Sequence, residues 1–229
     1  QPILERVQSL RREVDAVHVT DNVRAAPRMG ALAFAALLER AGIETILHLT
    51  CRDRNRLMLQ ADLLGAAALG VQNVLCLTGE HPHTGSHFES KPVFDLDSIS
   101  LLSLARRMRD EAQLWNGRAL EQPPRLFLGA GAEMSEPFDY RPRRLAAKVA
   151  AGCDFAVTEA LTQLGRLPEY LQRIHDLGMD RKLYILVNVA VLDDRPEAEA
   201  EEQCARLIGQ VRELSGVSGV AIAANSPEQ

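Results

Sequence analysis

The clearest signal of the fold lies in residues 45–78, TILHLTCRDRNRLMLQADLLGAAALGVQNVLCLT. The β-rich run 45–51 leads through a charged turn into an apolar helical stretch over 55–69, which Gly70 ends. A second apolar run follows over 71–78. Both strand-like runs are apolar almost throughout, which is typical of strands covered by helices or enclosed in a barrel. The stretch is therefore predicted to be one β-α-β unit of a parallel sheet with a right-handed crossover.

The same alternation extends over the whole chain and predicts its fold class. Strands are predicted over 15–20, 45–51, 71–78, 125–132, 154–159, 183–191 and 217–224, and helices over 2–14, 29–41, 55–69, 97–114, 141–151, 167–177 and 196–214. This order predicts an α/β fold, namely a (β/α)8 TIM barrel that lacks its first strand and last helix, as a single domain over 1–229. A doubly wound open sheet is the alternative. Its dinucleotide-binding form is disfavoured because no GxGxxG motif follows the first strand.

Composition excludes several classes of function. The 229 residues carry 26 basic and 31 acidic side chains, a net charge of −5, and only 4% are aromatic. Neither the charge nor the aromatic content favours nucleic acid. No run of about 18 apolar residues could cross a bilayer. The four cysteines form no CxxC pair and are interpreted as buried, reduced thiols. We therefore expect a cytoplasmic protein with neither a nucleic-acid nor a membrane partner.

Polar side chains follow the predicted strands at their carboxyl ends. In a barrel of this class these ends face the active site, so the side chains are candidate ligands. The set suits a polar heterocycle better than a bare phosphate. Its members are Thr20, Asp21, Asn22, His48, Thr50, Cys51, Arg52, Asp53, Thr78, Gly79, Glu80, His81, Glu133, Thr158, Glu159, Asn188, Asn225 and Ser226.

Three of these candidates have alternative interpretations. His48 lies inside an apolar strand and is either a core histidine bonded to a carbonyl or a cofactor contact. Glu80 follows a sharp turn at Gly79 and is either a solvated loop acid or a carboxylate that approaches a cofactor or a substrate nitrogen. Glu159 ends an apolar strand, where an unpaired carboxylate would be costly, and we interpret it as functional.

Two further features lie in the turns. Residues 79–96 form a loop rich in His, Pro, Gly and Ser, long enough to be functional. The loop contains His81, His83 and His87. Their loose spacing is only a weak signal for metal ligands, and no metal is predicted. The cluster 52–56, RDRNR, is interpreted as the start of a helix capped by Asp53, with phosphate binding as the alternative.

Several of these motifs together resemble the methylenetetrahydrofolate reductase family. The similar segments are VTDN (19–22), HLTCRDRNR (48–56), LCLTGEH (75–81), KPVFDLD (91–97) and RLAAKVAAGCDFAVTE (144–159). They occur in the family's order over roughly residues 2–191. The family carries its general-acid glutamate on a first strand that would precede Gln1.

The resemblance implies a flavoprotein that reduces 5,10-methylenetetrahydrofolate to 5-methyltetrahydrofolate by hydride transfer. FAD, with FMN as the variant, is the implied cofactor, and NADH or NADPH the electron donor. Glu80 is implied to be catalytic, and Glu80 and Glu159 to bind substrate. The implied cofactor contacts are Thr20, His48, Leu77, Thr78, Gly79, Glu80, Phe94, Asp95, Leu96, Asp97 and Lys148.

Two other functions stay open at this point. One is a non-catalytic or partner-dependent folate-binding paralogue. The other is a flavin-free reductase that takes hydride directly from NADH. A homo-oligomer or a partner subunit is also compatible with the sequence.

Overall fold

The computed structural model describes Ser9 and residues 11–179, 182–191 and 196–224. Its strands are β1 (Val17–Val19), β2 (Thr45–Thr50), β3 (Asn73–Leu77), β4 (Phe127–Ala132), β5 (Phe155–Thr158), β6 (Tyr184–Val191) and β7 (Gly219–Ala224). Its helices are α1 (Ala31–Arg40), α2 (Arg56–Ala68), α3 (Ser98–Asp110), α4 (Arg141–Ala150), α5 (Leu167–Asp176) and α6 (Glu197–Arg212). Each matches a predicted element to within a few residues. Most of the predicted helix 2–14 lies outside the described residues.

Strand order follows chain order, from β1 through to β7. The pairs β1–β2, β2–β3, β5–β6 and β6–β7 are parallel: His48 of β2 pairs with Leu75 of β3, and Asn188 of β6 pairs with Ala221 of β7. Parallel neighbours that are consecutive in the chain require a crossover after every strand, and the helices supply these crossovers. The order confirms the predicted α/β fold of the (β/α)8 type and excludes the doubly wound alternative, whose strand order reverses.

The chain forms two compact units, which divide between Gly129 and Ala130, inside β4. In the first unit, Val19 of β1 and Leu47 of β2 are buried against Ala35 and Leu38 of α1. In the second unit the buried residues include Phe155, Tyr170, Ile185 and Val187. Each unit thus has its own apolar layer between strands and helices. The single domain over 1–229 stays a prediction.

The four cysteines, Cys51, Cys76, Cys153 and Cys204, are buried and form no disulfide bond, as predicted. Burial raises the pKa of the Cys51 thiol to about 12 and that of the Cys153 thiol to about 12. Both thiols are therefore protonated near neutral pH and unreactive as nucleophiles. Among the described residues, no helix has the length and apolar character of a membrane span.

Candidate functional site

Side-chain alternation places the polar residues of β1 and β2 on one face of the sheet. Val19 and Leu47 point toward α1. Because successive strand residues point to opposite faces, His18, His48 and Thr50 lie on the other face. Register places Leu75 and Leu77 of β3 beside His48 and Thr50. We call the set His18, His48, Thr50, Leu75 and Leu77 the ligand face of the first unit.

Asp21 organises the end of β1. Its buried carboxylate accepts hydrogen bonds from the Thr50 backbone N–H (3.1 Å) and hydroxyl (2.7 Å). It also accepts two from the Arg54 guanidinium, at 2.6 and 3.2 Å. A buried carboxylate is stable only with such partners. Asp21 therefore fixes the ends of β1 and β2 relative to one another, and Thr20 beside it is exposed.

Each arginine of the cluster 52–56 faces a carboxylate. The buried Arg52 bonds both oxygens of Asp53 at 2.8 and 2.7 Å. Arg54 bonds Asp62 (2.8 Å) in addition to Asp21. Arg56 bonds Asp95 through its backbone N–H and two guanidinium nitrogens, at 2.7–2.8 Å.

The start of α2 differs from the prediction. Asn55, and not Asp53, caps the helix, because its Oδ1 accepts from the backbone N–H groups of residues 57 and 58, each at 3.1 Å. Asp53 is held by Arg52 instead. With Asn55 and Asp95 bonded to the first-turn N–H groups, this helix end has little capacity left for a phosphate.

His48 has a histidine neighbour that the sequence analysis did not single out. His18 Nδ1 and His48 Nε2 lie 3.0 Å apart, and the two rings are perpendicular. Burial, and then the charge of a protonated His18, lowers the pKa of His48 to about 3, while Asp21 opposes the shift. Burial also lowers the pKa of His18. Both rings are therefore neutral near pH 7, and His48 bonds to His18, a partner that neither earlier interpretation included.

The end of β3 is a sharp turn that approaches β2 closely. Gly79 has φ +89°, and a Cβ there would lie 2.9 Å from Arg52 Cβ, so the turn requires glycine. The Thr78 hydroxyl accepts a hydrogen bond from the Ser98 backbone N–H (3.0 Å), which joins both ends of the loop 79–96. Glu80 is exposed, and Leu77 is half-buried. Glu80 is thus an accessible carboxylate at a strand end.

Residues 94–97 lead from this loop into α3. Phe94 has φ +41°, an uncommon conformation for an aromatic residue, and its ring is 6.1 Å from that of His81. Asp95 is bonded to Arg56, whose guanidinium lowers the pKa of that carboxyl to about 2. Leu96 is buried. Asp97 caps α3 by accepting from the Ser100 N–H (2.8 Å).

Lys148 is the predicted cofactor contact in the second unit. This α4 residue is 4% exposed, and its Nζ donates to the Gly131 carbonyl at 2.6 Å. Glu133 lies 3.9 Å from the same Nζ and also pairs with Arg141. Burial lowers the pKa of Lys148, and the Glu133 charge opposes that shift. The ammonium is therefore anchored at the carboxyl end of β4.

Glu159 stands at the end of β5 and is exposed rather than buried. One carboxylate oxygen accepts from the Met134 N–H at 3.3 Å, and its own N–H donates to the Ala132 carbonyl at 3.2 Å. The Thr158 hydroxyl accepts from the Asn188 N–H at 2.9 Å, so β5 and β6 are joined beside it. The predicted site residues Asn225 and Ser226 lie outside the described residues.

Cavity size alone does not identify the site. Cavities of about 520 Å³ and 570 Å³ lie at the amino ends of strands, one beside Ile185 and one beside Phe127. A smaller one of about 130 Å³ lies near Asn22, Arg52 and His87, at the carboxyl ends. We place the candidate site at the carboxyl ends, because the loops of this fold that carry catalytic residues are there. The described residues contain no group of three or more metal-ligating side chains.

The sequence analysis missed His18 and the pairing of Asp21 with Arg54. His18 could have been found, because a polar residue inside an apolar strand has the same signature as His48. The ion pair joins residues 33 positions apart, so it depends on strand register.

Comparisons with known proteins match the sequence to a family and to a relative. A family model described as methylenetetrahydrofolate reductase matches residues 1–191. A probable methylenetetrahydrofolate reductase (NADPH) from Caenorhabditis elegans is 23% identical over 149 residues, which cover 65% of this chain and 21% of that protein. The chain thus spans about a fifth of the length of this relative.

Two solved structures are similar in fold. One is an uncharacterized protein from Clostridium thermocellum that binds two copies of 5-methyl-5,6,7,8-tetrahydrofolic acid. Its TM-score is 0.63 at 10% identity, over 99% of this chain and 84% of that one. The other is 2,3-dimethylmalate lyase, of the PEP mutase/isocitrate lyase superfamily, with a TM-score of 0.57 at 13% identity, over 96% and 72%.

Proposed function

The chain belongs to the methylenetetrahydrofolate reductase family, and on this premise we propose that it reduces 5,10-methylenetetrahydrofolate to 5-methyltetrahydrofolate with the help of a flavin. The observation that carries the proposal is the family match over 1–191. It includes every strand end of the first unit as well as Lys148 and Glu159.

The ligand face of the first unit supports the flavin proposal. Such a ring needs an apolar surface and a few polar groups around its edge. Leu77 offers half-buried apolar surface, His48 offers a ring nitrogen, and the exposed Thr20 offers a hydroxyl. A bound flavin, FAD or FMN, would supply a hydride carrier that is recharged by NADH or NADPH.

The remaining cofactor contacts concern the ribityl chain and phosphate. We assign them to Phe94, Asp95, Leu96, Asp97 and Lys148. Lys148 supports this assignment because its ammonium is held at a strand end. Of its three N–H donors, one bonds the Gly131 carbonyl and one faces Glu133, which leaves the third for an anion. Arg52, Arg54 and Arg56 are left out, because each is hydrogen-bonded to a carboxylate at 2.6–2.7 Å, whereas the Glu133 carboxylate is 3.9 Å from Lys148 Nζ.

Two accessible carboxylates are assigned to the folate. Glu80 follows the Gly79 turn and would hold or transfer a proton at a pterin nitrogen. Glu159 would accept hydrogen bonds from pterin N–H groups, since an ionised carboxylate is an acceptor only. Its contact with the Met134 N–H keeps it at the end of β5.

The visible absorption spectrum of the purified protein, with flavin titration, tests the cofactor. We expect a yellow protein that releases FAD or FMN on denaturation. A protein of intact mass that stays colourless and takes up neither flavin would contradict the flavin proposal. NADH-dependent turnover by that colourless protein would instead support the flavin-free reductase.

Reductase assays of Glu80→Gln, with Glu89→Gln as the matched control, test the catalytic assignment. Both carboxylates are exposed and lie in the loop 79–96. We expect Glu80→Gln to lower kcat by about 100-fold, the usual contribution of a general acid or base, and Glu89→Gln to leave it unchanged. Equal activity of the two variants would remove Glu80 from the mechanism. Binding of 5-methyltetrahydrofolate by the unaltered chain without turnover would favour the folate-binding paralogue.

A further inference from the structure

The two histidines of the ligand face form a pair with one shared proton position. His18 Nδ1 and His48 Nε2 are 3.0 Å apart, a hydrogen-bond distance, and both rings are half-buried. A neutral imidazole has one N–H donor and one acceptor nitrogen. Because both rings are neutral, one of the facing nitrogens must donate and the other must accept.

This contact couples the tautomers of the two rings. If His18 Nδ1 carries the shared proton, His48 Nε2 accepts the hydrogen bond and His48 Nδ1 carries an N–H. If His48 Nε2 carries the proton, His48 Nδ1 becomes an acceptor and His18 Nε2 carries an N–H. Whether the outward nitrogen of His48 is protonated therefore depends on which nitrogen of His18 carries a proton.

The described surroundings of the pair are apolar or already bonded. The neighbours on β3 are Leu75 and Leu77, and the Asp21 carboxylate bonds Thr50 and Arg54. The perpendicular rings also fix the plane of His48.

We infer that His18 is a positioning residue that fixes the ring plane and the tautomer of His48, and so decides whether His48 offers the ligand a donor or an acceptor. That the ligand is a flavin rests on the proposed function. The tautomer itself is a property of the chain alone.

Long-range ¹H–¹⁵N spectra of the full chain with ¹⁵N-labelled histidine test the pair directly. Between pH 6 and 8 we expect His48 to be neutral, with one protonated and one unprotonated nitrogen. In His18→Leu we expect the signals of the two His48 nitrogens to be averaged over both tautomers, because the hydrogen bond from His18 is gone. A His48 tautomer that is already averaged in the unaltered chain, or that is identical in His18→Leu, would overturn the inference. Signals that shift on addition of EDTA would do the same, since they would show a metal between the two nitrogens.

Amide substitutions give a second, position-specific readout. An Asn side chain places its amide near the Nδ1 position of histidine, and a Gln side chain reaches the Nε2 position. Because His18 uses Nδ1, we expect His18→Asn to preserve the His48 spectrum and His18→Gln to disturb it. His175→Asn on α5 is the control for assignment and folding, since His175 is exposed.

Flavin titration connects the pair to the site. We expect His18→Leu to weaken flavin binding about fivefold to tenfold, as for the loss of one hydrogen bond, and His18→Asn to stay within about twofold of the unaltered chain. If both variants bind flavin with unchanged affinity, His18 has no role in flavin binding, even where the spectra show a single His48 tautomer. If the unaltered chain binds no flavin, the proposed function fails, while the nitrogen spectra still decide the tautomer lock.

Discussion

Asp21 lies at the end of β1 beside the ligand face, and its carboxylate joins Thr50 and Arg54. Its side chain is 1% exposed and that of Arg54 is 19% exposed. Removing Asp21 takes this acceptor away from the buried Thr50 N–H and hydroxyl, and it leaves Arg54 with Asp62 as its ionic partner. We expect Asp21→Ala to lower the free energy of unfolding by about 3 kcal/mol, measured by urea denaturation.

A surface ion pair provides the matched control for Asp21. Arg206 and Glu202 are 67% and 74% exposed and lie 3.0 Å apart on α6. Solvent screens such a pair, so Glu202→Ala should cost less than about 0.5 kcal/mol. Equal losses in the two variants would show that the Asp21 cluster is no more stabilising than a surface contact.

The depressed pKa of His48 makes stability depend on pH. In the unfolded chain the ring titrates near its ordinary value of 6.5, and in the folded chain near 3. Below pH 6.5 the unfolded state binds the extra proton, so this group's stabilisation is complete above pH 6.5 and is lost as pH falls toward 3. Between pH 7 and 5 we expect a loss of about 1–2 kcal/mol from this group.

Urea denaturation at several pH values, with His48→Gln alongside, measures that contribution. The Gln side chain does not titrate, so its stability should change less over the same interval. Parallel pH profiles for the two proteins would mean that His48 is not buried as a neutral ring.

The loop 79–96 packs against the turn after β1. Ser86 N–H donates to the Arg24 carbonyl (3.0 Å), and a Cβ on Gly85 would lie 1.8 Å from that same oxygen. The segment it touches is strained, since Arg24 and Ala25 have φ +54° and +50°. Gly85 is therefore required by close packing rather than by its own φ.

Gly85→Ala should separate the loop from this turn. We expect a loss of about 1–3 kcal/mol in the free energy of unfolding and faster amide exchange over 22–27 and 81–90. Gly209→Ala in α6 should instead stabilise by about 0.5–1 kcal/mol, because outside the helix's own neighbouring backbone no described atom lies within 4 Å of the added Cβ. If Gly85→Ala behaves like Gly209→Ala, the loop does not rest on the turn.

The helices and strands were predictable because their signals are local. Periodicity and terminal glycines such as Gly70 depend on a few neighbouring residues. The cap of α2 was predicted wrongly because Asp53 and Asn55 are both good caps, and only the fold shows that Arg52 occupies Asp53. Contacts such as His18 with His48 needed the register of β1 on β2, which sequence patterns fix only indirectly.

For the molecule as a whole, the strand order continues beyond the family match. The match ends at residue 191, the last residue of β6, whereas α6 and β7 extend the same β-α repeat. The family's sequence signals are therefore concentrated in the part of the chain that carries every described candidate residue. The repeat itself depends only on apolar strands and amphipathic helices.

A ligand that binds only the folded chain stabilises all of it, so thermal unfolding reports on the function of the intact molecule. At 100 times its Kd, such a ligand adds about 2.7 kcal/mol, which for a chain of this size raises Tm by roughly 5–10 °C. We expect this shift with FAD and separately with 5-methyltetrahydrofolate, measured by calorimetry. ATP, which has adenine and phosphates but no isoalloxazine, is the control and should leave Tm unchanged. A shift with ATP equal to that with FAD would locate the binding energy in the nucleotide rather than the flavin ring, and the ligand face around His48 would lose its assigned role.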